Sequence, residues 1–406
     1  MVKILTAFDI GSYEIRAIAV KIVDKEAPQV VGVARIPSRG IKKGVVIDIR
    51  EAGGAIASAL KEIEAISDTR VSHVLASLNG INLQSLLSKG IIAVSRADRE
   101  ITHTDVERSL KSAQSASLAP NREIIEVIAR DFTIDNEEGI KNPVGMNGVR
   151  LEANAVIVSA SSAFLRNLSK AVELAGARIE KFIPGPLASA QAVFSQRQKD
   201  LGVLVCDIGS DTTSIAIYED GEVLHFEILP IGASLITSDI AIGLRIDIDT
   251  AETIKIKYGT TLSGEIRKTE MIELQSLGFA EDLRVRRQEV AEIIQARMQE
   301  IFSVINKTLE RTGKRSFLPA GIVLVGGGAK LDGIITLAKE QLRLPVRIGY
   351  PEHFFGLVEQ ITDPIFARVT GLIAWDIEHN AGLVGDDPYL PRFTQSLQRF
   401  FGKILP

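Results

Sequence analysis

Two short apolar runs on either side of a polar turn open the chain. Residues 4–8 are largely apolar and end at Asp9, and a second, mostly apolar run at residues 15–20 follows a Gly-Ser turn. Two such runs around a glycine-containing turn predict a β-hairpin. Similar patterns predict strands at residues 30–36 and 71–78, and helical spacing of apolar residues predicts a helix at residues 51–65.

The hairpin pattern returns in the middle of the chain. An apolar run at residues 201–206 leads into Asp207-Ile208-Gly209-Ser210, which matches Asp9-Ile10-Gly11-Ser12, and a strand pattern follows at residues 213–218. Internal self-similarity indicates a repeated structural unit. We therefore predict a duplicated α/β unit with a ligand bound between the two copies.

Residues 80–157 interrupt the first unit and show a different pattern of charged, apolar and turn residues. They combine charged helical stretches, strand patterns and a turn-rich patch at residues 136–145. This mixture predicts a compact inserted subdomain. Further predicted elements are helices at residues 105–115, 165–175, 289–309 and 365–375, and strands at residues 124–133, 155–159 and 320–328.

Composition then narrows the classes of function. The chain has 406 residues, a net charge of -4, one cysteine and five scattered histidines. This charge gives no global attraction to nucleic acid, and a single thiol cannot form an internal disulfide. Scattered histidines give little support to a transition-metal site. The first residues lack a signal-peptide pattern and no apolar run is long enough to span a membrane, so we expect a cytosolic protein.

The two hairpin turns are suited to binding phosphate. Glycine lets the backbone approach a phosphate closely, and the N–H groups of a turn form an anion-binding concavity. Two aspartates facing a triphosphate would repel it, unless Mg²⁺ with its bound waters lies between Asp9 and Asp207. The residues predicted to contact the phosphates and the metal are Asp9, Gly11, Ser12, Tyr13, Asp207, Gly209, Ser210, Asp211, Thr212 and Thr213.

Two further features are suited to an adenosine group. The strand at residues 320–328 ends in three glycines, which leave room for a flat ring. Glu252 and Lys255 share one face of a helix and could bind the ribose and the base. Each feature alone is more often ordinary structure, but their combination in this order favours a nucleotide site. The residues predicted to contact adenosine are Gly232, Glu252, Lys255, Gly326, Gly327, Gly328 and Lys330.

These motifs resemble those of the superfamily of actin, DnaK-type chaperones and sugar kinases. Both Asp-Ile-Gly-Ser segments match its phosphate motifs, residues 322–329 match its adenosine motif, and residues 186–190 and 369–372 match its two connecting helices. Within it, the chain resembles the FtsA family of bacterial cell-division proteins over nearly its whole length. The stretches that resemble this family lie at residues 98–102, 105–108, 121–125, 139–146, 148–152, 232–241 and 251–259.

The resemblance implies an α/β fold: an actin-like, ribonuclease-H-like duplicated two-domain fold with an FtsA-type insert, called 1C. It implies ATP with Mg²⁺ between the domains, self-assembly into filaments, docking of the FtsZ C-terminal tail on subdomain 2B, and recruitment of later division proteins. The implied boundaries are 1–79, 158–199 and 366–380 for subdomain 1A, 80–157 for subdomain 1C, 200–248 and 304–365 for subdomain 2A, 249–303 for subdomain 2B, 381–388 for a linker and 389–406 for a membrane-targeting amphipathic helix.

Three local features qualify this picture. Four arginines form a basic cluster that could bind an acidic and apolar peptide. Each of them by itself is more readily explained as part of a solvated helix face. The four are Arg284, Arg286, Arg287 and Arg297. Glu14 stands where many superfamily members have lysine, and we expect it to point away from the phosphates. Gly185 stands where hydrolysing members have a carboxylate, so we expect ATP binding but at best weak ATPase activity.

The last residues form a cationic amphipathic pattern. Basic residues accompany apolar ones at helical spacing, and no acid follows Asp387. This pattern favours reversible binding to an anionic membrane surface. The resemblance implies that this surface is the cytoplasmic side of the cell membrane at the division site. The alternative is a terminal helix packed on the protein's own core. The predicted membrane-binding residues are Phe393, Leu397, Arg399, Phe400, Phe401, Lys403, Ile404 and Leu405.

Two other functions remain open at this point. One is a PilM-like adaptor of pilus assembly, which would share the fold and the ATP site. The other is a small-molecule kinase, which would need a catalytic aspartate near residues 183–186, where the sequence has none.

Overall fold

The first unit is built around a six-stranded mixed sheet. The computed structural model describes residues 2–23, 26–115, 119–277, 284–314, 317–352 and 354–380. The sheet has the strand order β11-β6-β1-β2-β3-β19. The elements up to the insert are β1 (Val2–Ile10), β2 (Glu14–Val23), β3 (Gln29–Pro37), β4 (Ile41–Lys42), β5 (Val45–Val46), α1 (Ile49–Ser67) and β6 (His73–Leu78).

The opening hairpin forms as the apolar pattern predicts. Strands β1 and β2 pair antiparallel, with Asp9 opposite Arg16 at the end that carries the turn. Helix α1 begins where Asp48 accepts hydrogen bonds from the N–H groups of Arg50 at 2.8 Å and Glu51 at 3.0 Å. Such side-chain caps satisfy donors that the first turn of a helix leaves free.

The insert is a separate four-stranded antiparallel sheet covered by one helix. Its strand order is β7-β10-β8-β9, and it has its own apolar core, which includes Ile101, Phe132 and Leu151. Its elements are β7 (Leu83–Ala93), α2 (His103–Gln114), β8 (Arg122–Ile134), β9 (Glu137–Ile140) and β10 (Arg150–Ser161). After it come α3 (Ser162–Leu174), β11 (Arg178–Pro184), α4 (Gly185–Val193) and α5 (Gln196–Leu201).

The second unit repeats the hairpin in a five-stranded sheet of order β14-β13-β12-β17-β18. One face of this sheet has its own apolar core, and the other face, which includes Val205 and Val325, packs into the core of the first unit. The elements of this unit are β12 (Val203–Ile208), β13 (Thr213–Glu219), β14 (Glu222–Leu229), α6 (Ser234–Leu244), α7 (Ile248–Tyr258), β15 (Met271–Glu273), β16 (Arg284–Arg286), α8 (Arg287–Arg311), β17 (Ile322–Val325), α9 (Ile334–Leu342) and β18 (Val346–Ile348). The chain then returns to the first unit with β19 (Phe355–Gly356) and α10 (Ala367–Asn380). Short 3₁₀ turns lie at Ser263–Glu265, Leu274–Leu277, Gly327–Lys330, Val358–Gln360 and Pro364–Phe366.

Helices α4 and α10 cross between the two sheets. Helix α10 packs on β1 and β6 of the first sheet, and α4 packs on β12 and β13 of the second. The crossing is close because a Cβ atom on Gly371 would lie only 1.8 Å from the carbonyl oxygen of Ala188. These two helices therefore fix how the two hairpins face each other.

Candidate nucleotide-binding cleft

A cleft of about 770 Å³ lies between the two hairpin turns. Its wall brings together residues from both ends of the chain, from the second hairpin and from α7. Most of the residues predicted from sequence line it. These are Asp9, Gly11, Ser12, Tyr13, Asp207, Gly209, Ser210, Asp211, Thr212, Glu252, Lys255, Gly326, Gly327, Gly328 and Lys330.

The two turns have the same local geometry. A Cβ atom on Gly11 would lie 2.8 Å from the carbonyl oxygen of Glu14, and one on Gly209 would lie 2.9 Å from that of Thr212. Both glycines are thus required by the backbone of their own turn, since a side chain at either would meet a carbonyl group. The sequence repeat corresponds to a repeat of structure.

The three glycines after β17 divide into two roles. Gly326 has φ +81°, and a Cβ atom on it would lie 2.5 Å from Oδ1 of Asp207. Gly328 would place a Cβ atom 2.3 Å from the side chain of Ile208. A Cβ atom on Gly327 would meet no atom of the described residues within 4 Å. Gly326 and Gly328 therefore allow β17 to pack on β12, and Gly327 borders open space in the cleft.

Two predicted contact residues lie behind the wall of the cleft. Thr213 is buried on β13 and its Oγ1 donates to the carbonyl oxygen of Ile231 at 2.9 Å, so its hydroxyl is committed to the fold. Gly232 packs against the first turn residue after Gly209, and a Cβ atom there would lie 2.3 Å from the carbonyl oxygen of Ser210. Both residues support the site and do not line it.

Buried Lys255 and half-buried Glu252 form an ion pair on α7. The Lys255 Nζ donates to Glu252 Oε2 at 2.6 Å and to Thr237 Oγ1 at 2.8 Å. Burial lowers the pKa of Lys255, and the neighbouring Glu252 carboxylate offsets this in part. Because the ammonium group is already held by two partners, this pair is a rigid part of the wall.

The centre of the cleft holds an arginine that the sequence pattern did not suggest. Arg368, on α10, donates to Asp9 Oδ1 at 3.4 Å and to Asp207 Oδ2 at 2.7 Å. Burial lowers the pKa of Arg368, but the two carboxylates outweigh it and the net shift is upward. Burial raises the pKa of Asp9. The charges of Arg368 and Arg16 and the hydrogen bond from Ser77 outweigh this effect, so the pKa of Asp9 lies below its usual value. The three side chains form one buried, hydrogen-bonded group.

Asn79 fills the space beside Gly185. A Cβ atom on Gly185 would lie 1.9 Å from Asn79 Oδ1. The amide nitrogen of Asn79 donates to Asp9 Oδ1 at 2.9 Å and to Ser77 Oγ at 2.7 Å. Its buried Oδ1 has no hydrogen-bond partner in the described part of the chain. The lack of a side chain at Gly185 therefore leaves the space that the Asn79 amide occupies.

Glu14 lines the cleft, so the expectation that it points away is wrong. Its carboxylate instead pairs with two arginines: Arg35 Nε at 2.6 Å and Arg16 Nη2 at 2.9 Å. Because Arg16 and Arg35 neutralise its charge, the Glu14 carboxylate repels a phosphate less than an unpaired carboxylate would.

The predicted basic cluster is not a free positive surface. Arg284 pairs with Glu273 at 3.3 Å, Arg286 pairs with Glu289 at 3.5 Å, and Arg287 pairs with Glu270 at 2.6 Å. Arg297 forms two hydrogen bonds to Asp239, at 2.7 and 3.0 Å. Arg287 also lines the cleft. The docking of a peptide on these four residues stays a prediction.

Within the described ranges, no cluster of three or more His, Cys, Asp or Glu side chains is placed to hold a metal ion. No helix in those same ranges is long and apolar enough to cross a bilayer. The predicted linker and the amphipathic segment, including Phe393 to Leu405, lie outside the described residues.

Two sheets joined by crossing helices, with paired hairpin turns at the cleft, define the actin-like ATPase fold. A chain of a PilM–PilN type IV pilus biogenesis complex matches with a TM-score of 0.64 and 19% identity, covering 91% of this chain and 97% of that one. MreB5 of Spiroplasma citri bound to ADP matches with a TM-score of 0.55 and 13% identity, covering 93% and 98%. At these identities the likeness concerns the fold alone.

Sequence comparison gives the family. The family model described as cell division protein FtsA matches residues 204–371, and that of the SHS2 domain inserted in FtsA matches residues 80–159. A cell division protein FtsA of Neisseria meningitidis serogroup B is 36% identical over 370 residues, which are 91% of this chain and 89% of that protein. The chain belongs to the FtsA family of cell-division proteins.

Proposed function

We propose that the cleft binds ATP. The observation that carries this proposal is the pair of glycine turns, one from each half of the chain, that face one cavity of about 770 Å³. Turn N–H groups and the hydroxyls of Ser12 and Thr212 would bind the phosphates. The open space at Gly327, with Lys330 and Glu252 nearby in the wall, would take the adenosine. The solved MreB5 structure with ADP, of the same fold, supports this assignment.

The predicted Mg²⁺, held through its bound waters by Asp9 and Asp207, is part of this proposal. The guanidinium group of Arg368 also bridges these two carboxylates. An ion carried by the phosphates themselves is compatible with the cleft. Hydrolysis is not part of this proposal, because Gly185 and Asn79 offer no carboxylate to act as a base near the phosphate turns.

We further propose that the protein polymerises on the inner face of the cytoplasmic membrane at the division site, tethers FtsZ through its C-terminal tail, and recruits later division proteins. Family membership supports the role in division. The cationic amphipathic segment at residues 389–406 supports membrane attachment, and polymerisation would multiply weak single contacts. The subdomain boundaries given above are part of this proposal.

Co-sedimentation with anionic liposomes tests the tether. The full chain and a chain ending at Asp387 are compared with ATP present, each with and without an FtsZ C-terminal peptide. We expect only the full chain to pellet with vesicles and to carry the peptide with it. If both chains stay in solution, the terminal segment is not a membrane anchor. If the full chain pellets without the peptide, the FtsZ part of the proposal fails.

A further inference from the structure

The short pair of strands β4 and β5 reaches the two phosphate turns, and we call residues 41–46 the strap. The tip of the strap is Lys43-Gly44, and Gly44 lines the cleft. Lys43 has φ +51° and Gly44 has φ +70°. A positive φ at a lysine is uncommon and persists only where the surrounding contacts hold it. The contacts of the tip therefore decide its shape.

The tip of the strap is hydrogen-bonded to both phosphate turns. The N–H group of Gly44 donates to Ser12 Oγ, in the first turn, at 3.0 Å. The N–H group of Lys43 donates to Asp211 Oδ2, in the second turn, at 2.9 Å. Adjacent N–H groups of one backbone lie at a fixed separation. The strap therefore sets the distance between one residue from each half of the chain.

The two side chains that bind the strap have different roles. The Ser12 hydroxyl accepts from Gly44, which leaves its own hydrogen free to be donated to a phosphate. Asp211 Oδ1 accepts from Ser234 Oγ at 3.0 Å and from Ser210 Oγ at 3.3 Å, so donors of the protein engage both oxygens of this carboxylate. Asp211 is thus a positioning residue that holds the second turn to the strap.

The strap itself is fixed to the first unit. Ile41 and Val46, one in each of its strands, are buried in the core of that unit. At the tip, a Cβ atom on Gly44 would lie 2.6 Å from the carbonyl oxygen of Asn79, so the backbone packs directly on the end of β6. A shift of the tip would disturb these contacts. The strap is therefore a rigid support to which the second turn is tied.

We propose that the strap makes the cleft prefer ATP over ADP, through its bonds to Ser12 and Asp211. The inference rests on the proposed binding of ATP. A terminal phosphate between the turns takes donors from both of them, so its binding depends on their separation. ADP is one phosphate shorter and depends on this separation less. A separation that is set before binding removes the cost of bringing the turns together, and this favours the longer nucleotide.

Isothermal titration calorimetry of the full chain with ATP and with ADP, both in excess MgCl₂, tests this directly. We expect the unaltered protein to bind ATP about fivefold or more tightly than ADP, and Asp211→Ala to reduce this preference below about twofold. Asp211→Asn keeps an acceptor oxygen for the Lys43 N–H group and should retain the preference. Removal of a negative charge near the phosphates would by itself strengthen ATP binding, so a weaker binding in Asp211→Ala is not an effect of charge.

Two further variants keep the test decisive, even where Asp211→Ala does not fold by circular dichroism. Gly44→Ala meets the Asn79 carbonyl oxygen, which displaces the N–H group from Ser12, and should also lose the preference. Ile47→Ala alters an exposed side chain beside the strap and should keep it. Equal affinity of the unaltered protein for ATP and ADP, a preference that survives Asp211→Ala or Gly44→Ala, or its loss in Asp211→Asn would overturn the inference. Absence of binding of both nucleotides would overturn the ATP proposal itself.

Discussion

The size of one residue in the cleft limits the size of its neighbour, and the clearest case is Gly185 beside Asn79. Introducing a carboxylate before Pro186 by Gly185→Glu would place a Cβ atom at 1.9 Å from Asn79 Oδ1. We expect a destabilisation of about 1–3 kcal/mol, typical of overpacking. Chemical unfolding followed by circular dichroism measures it.

Combining Gly185→Glu with Asn79→Ala separates the clash from other effects. The alanine removes the amide that meets the new side chain, so the double variant should recover part of the stability lost by Gly185→Glu alone. If the double variant loses as much free energy of unfolding as the two single variants together, the two residues are not coupled. The proposed clash between them is then wrong.

The sequence could predict the glycines and aspartates of the turns, because each pair lies within a few residues of a recognisable apolar strand. It could not predict Arg368 or Asn79 as part of the site. Arg368 lies 359 residues from Asp9 along the chain, and only the packing of α10 brings the two together. Nothing in the local pattern around Arg368 distinguishes it from a solvated helix residue.

At the level of elements, the crossing of α4 and α10 depends on a glycine. Gly371→Ala would drive a methyl group to 1.8 Å from the Ala188 carbonyl oxygen, and a backbone atom cannot rotate away. We expect a loss of at least about 1–3 kcal/mol and weaker ATP binding, because this crossing sets the distance between the hairpins. Gly54→Ala in α1 is the control: its Cβ would meet no atom of the described residues within 4 Å, so it should stabilise by about 0.5–1 kcal/mol.

Helix α2 of the insert begins with a reciprocal cap that should respond to acid. Asp105 accepts from Thr102 Oγ1 at 2.7 Å and from the Thr102 N–H at 3.1 Å. Burial raises the pKa of Asp105, but these bonds and Arg108 outweigh it, so the pKa lies below the ordinary 3.8. Because the folded pKa is depressed, this stabilisation is present above pH 3.8 and is lost as the pH falls through the folded pKa.

Asp105→Asn tests this cap. At neutral pH we expect faster hydrogen exchange of the first α2 amides, equivalent to at most about 1 kcal/mol because the amide oxygen still accepts hydrogen bonds without the charge, and convergence with the unaltered protein in acid. Glu107→Gln, on the exposed face of the same helix, should leave the exchange nearly unchanged. Equal exchange in Asp105→Asn and the unaltered protein at neutral pH would contradict the assignment.

Elements with a strong pattern were predictable, and weak ones were not. The apolar runs predicted β1 and β2, and helical spacing predicted α1 within two residues of its ends. Strand β11 was missed, since Arg178–Pro184 mixes charged and apolar residues without a regular alternation and pairs in parallel with β6, a distant partner. Long-range pairing of this kind leaves little local signal.

For the whole molecule, the repeated hairpin was the observation that predicted two halves around one ligand. The structure confirms an actin-like fold and shows both turns at one cleft. The pairing of charges across that cleft could not be predicted, because it depends on how the two sheets are oriented by α4 and α10. Orientation of packed units is a property of tertiary contacts, and a repeat in the sequence does not contain it.

A site shared by both halves has a thermodynamic consequence. ATP should stabilise every unfolding transition that disrupts the cleft, by about 2.7 kcal/mol at a concentration one hundred times the dissociation constant. Gly11→Ala and Gly209→Ala place equivalent Cβ atoms against turn carbonyls, at 2.8 and 2.9 Å, in opposite halves. Either substitution should therefore reduce the ATP-induced shift to a similar extent, and Gly54→Ala should preserve it. Differential scanning calorimetry over a series of ATP concentrations measures these shifts. If Gly11→Ala abolishes the shift and Gly209→Ala leaves it intact, the ligand is held by the first hairpin alone, and the duplicated turns do not form a single site.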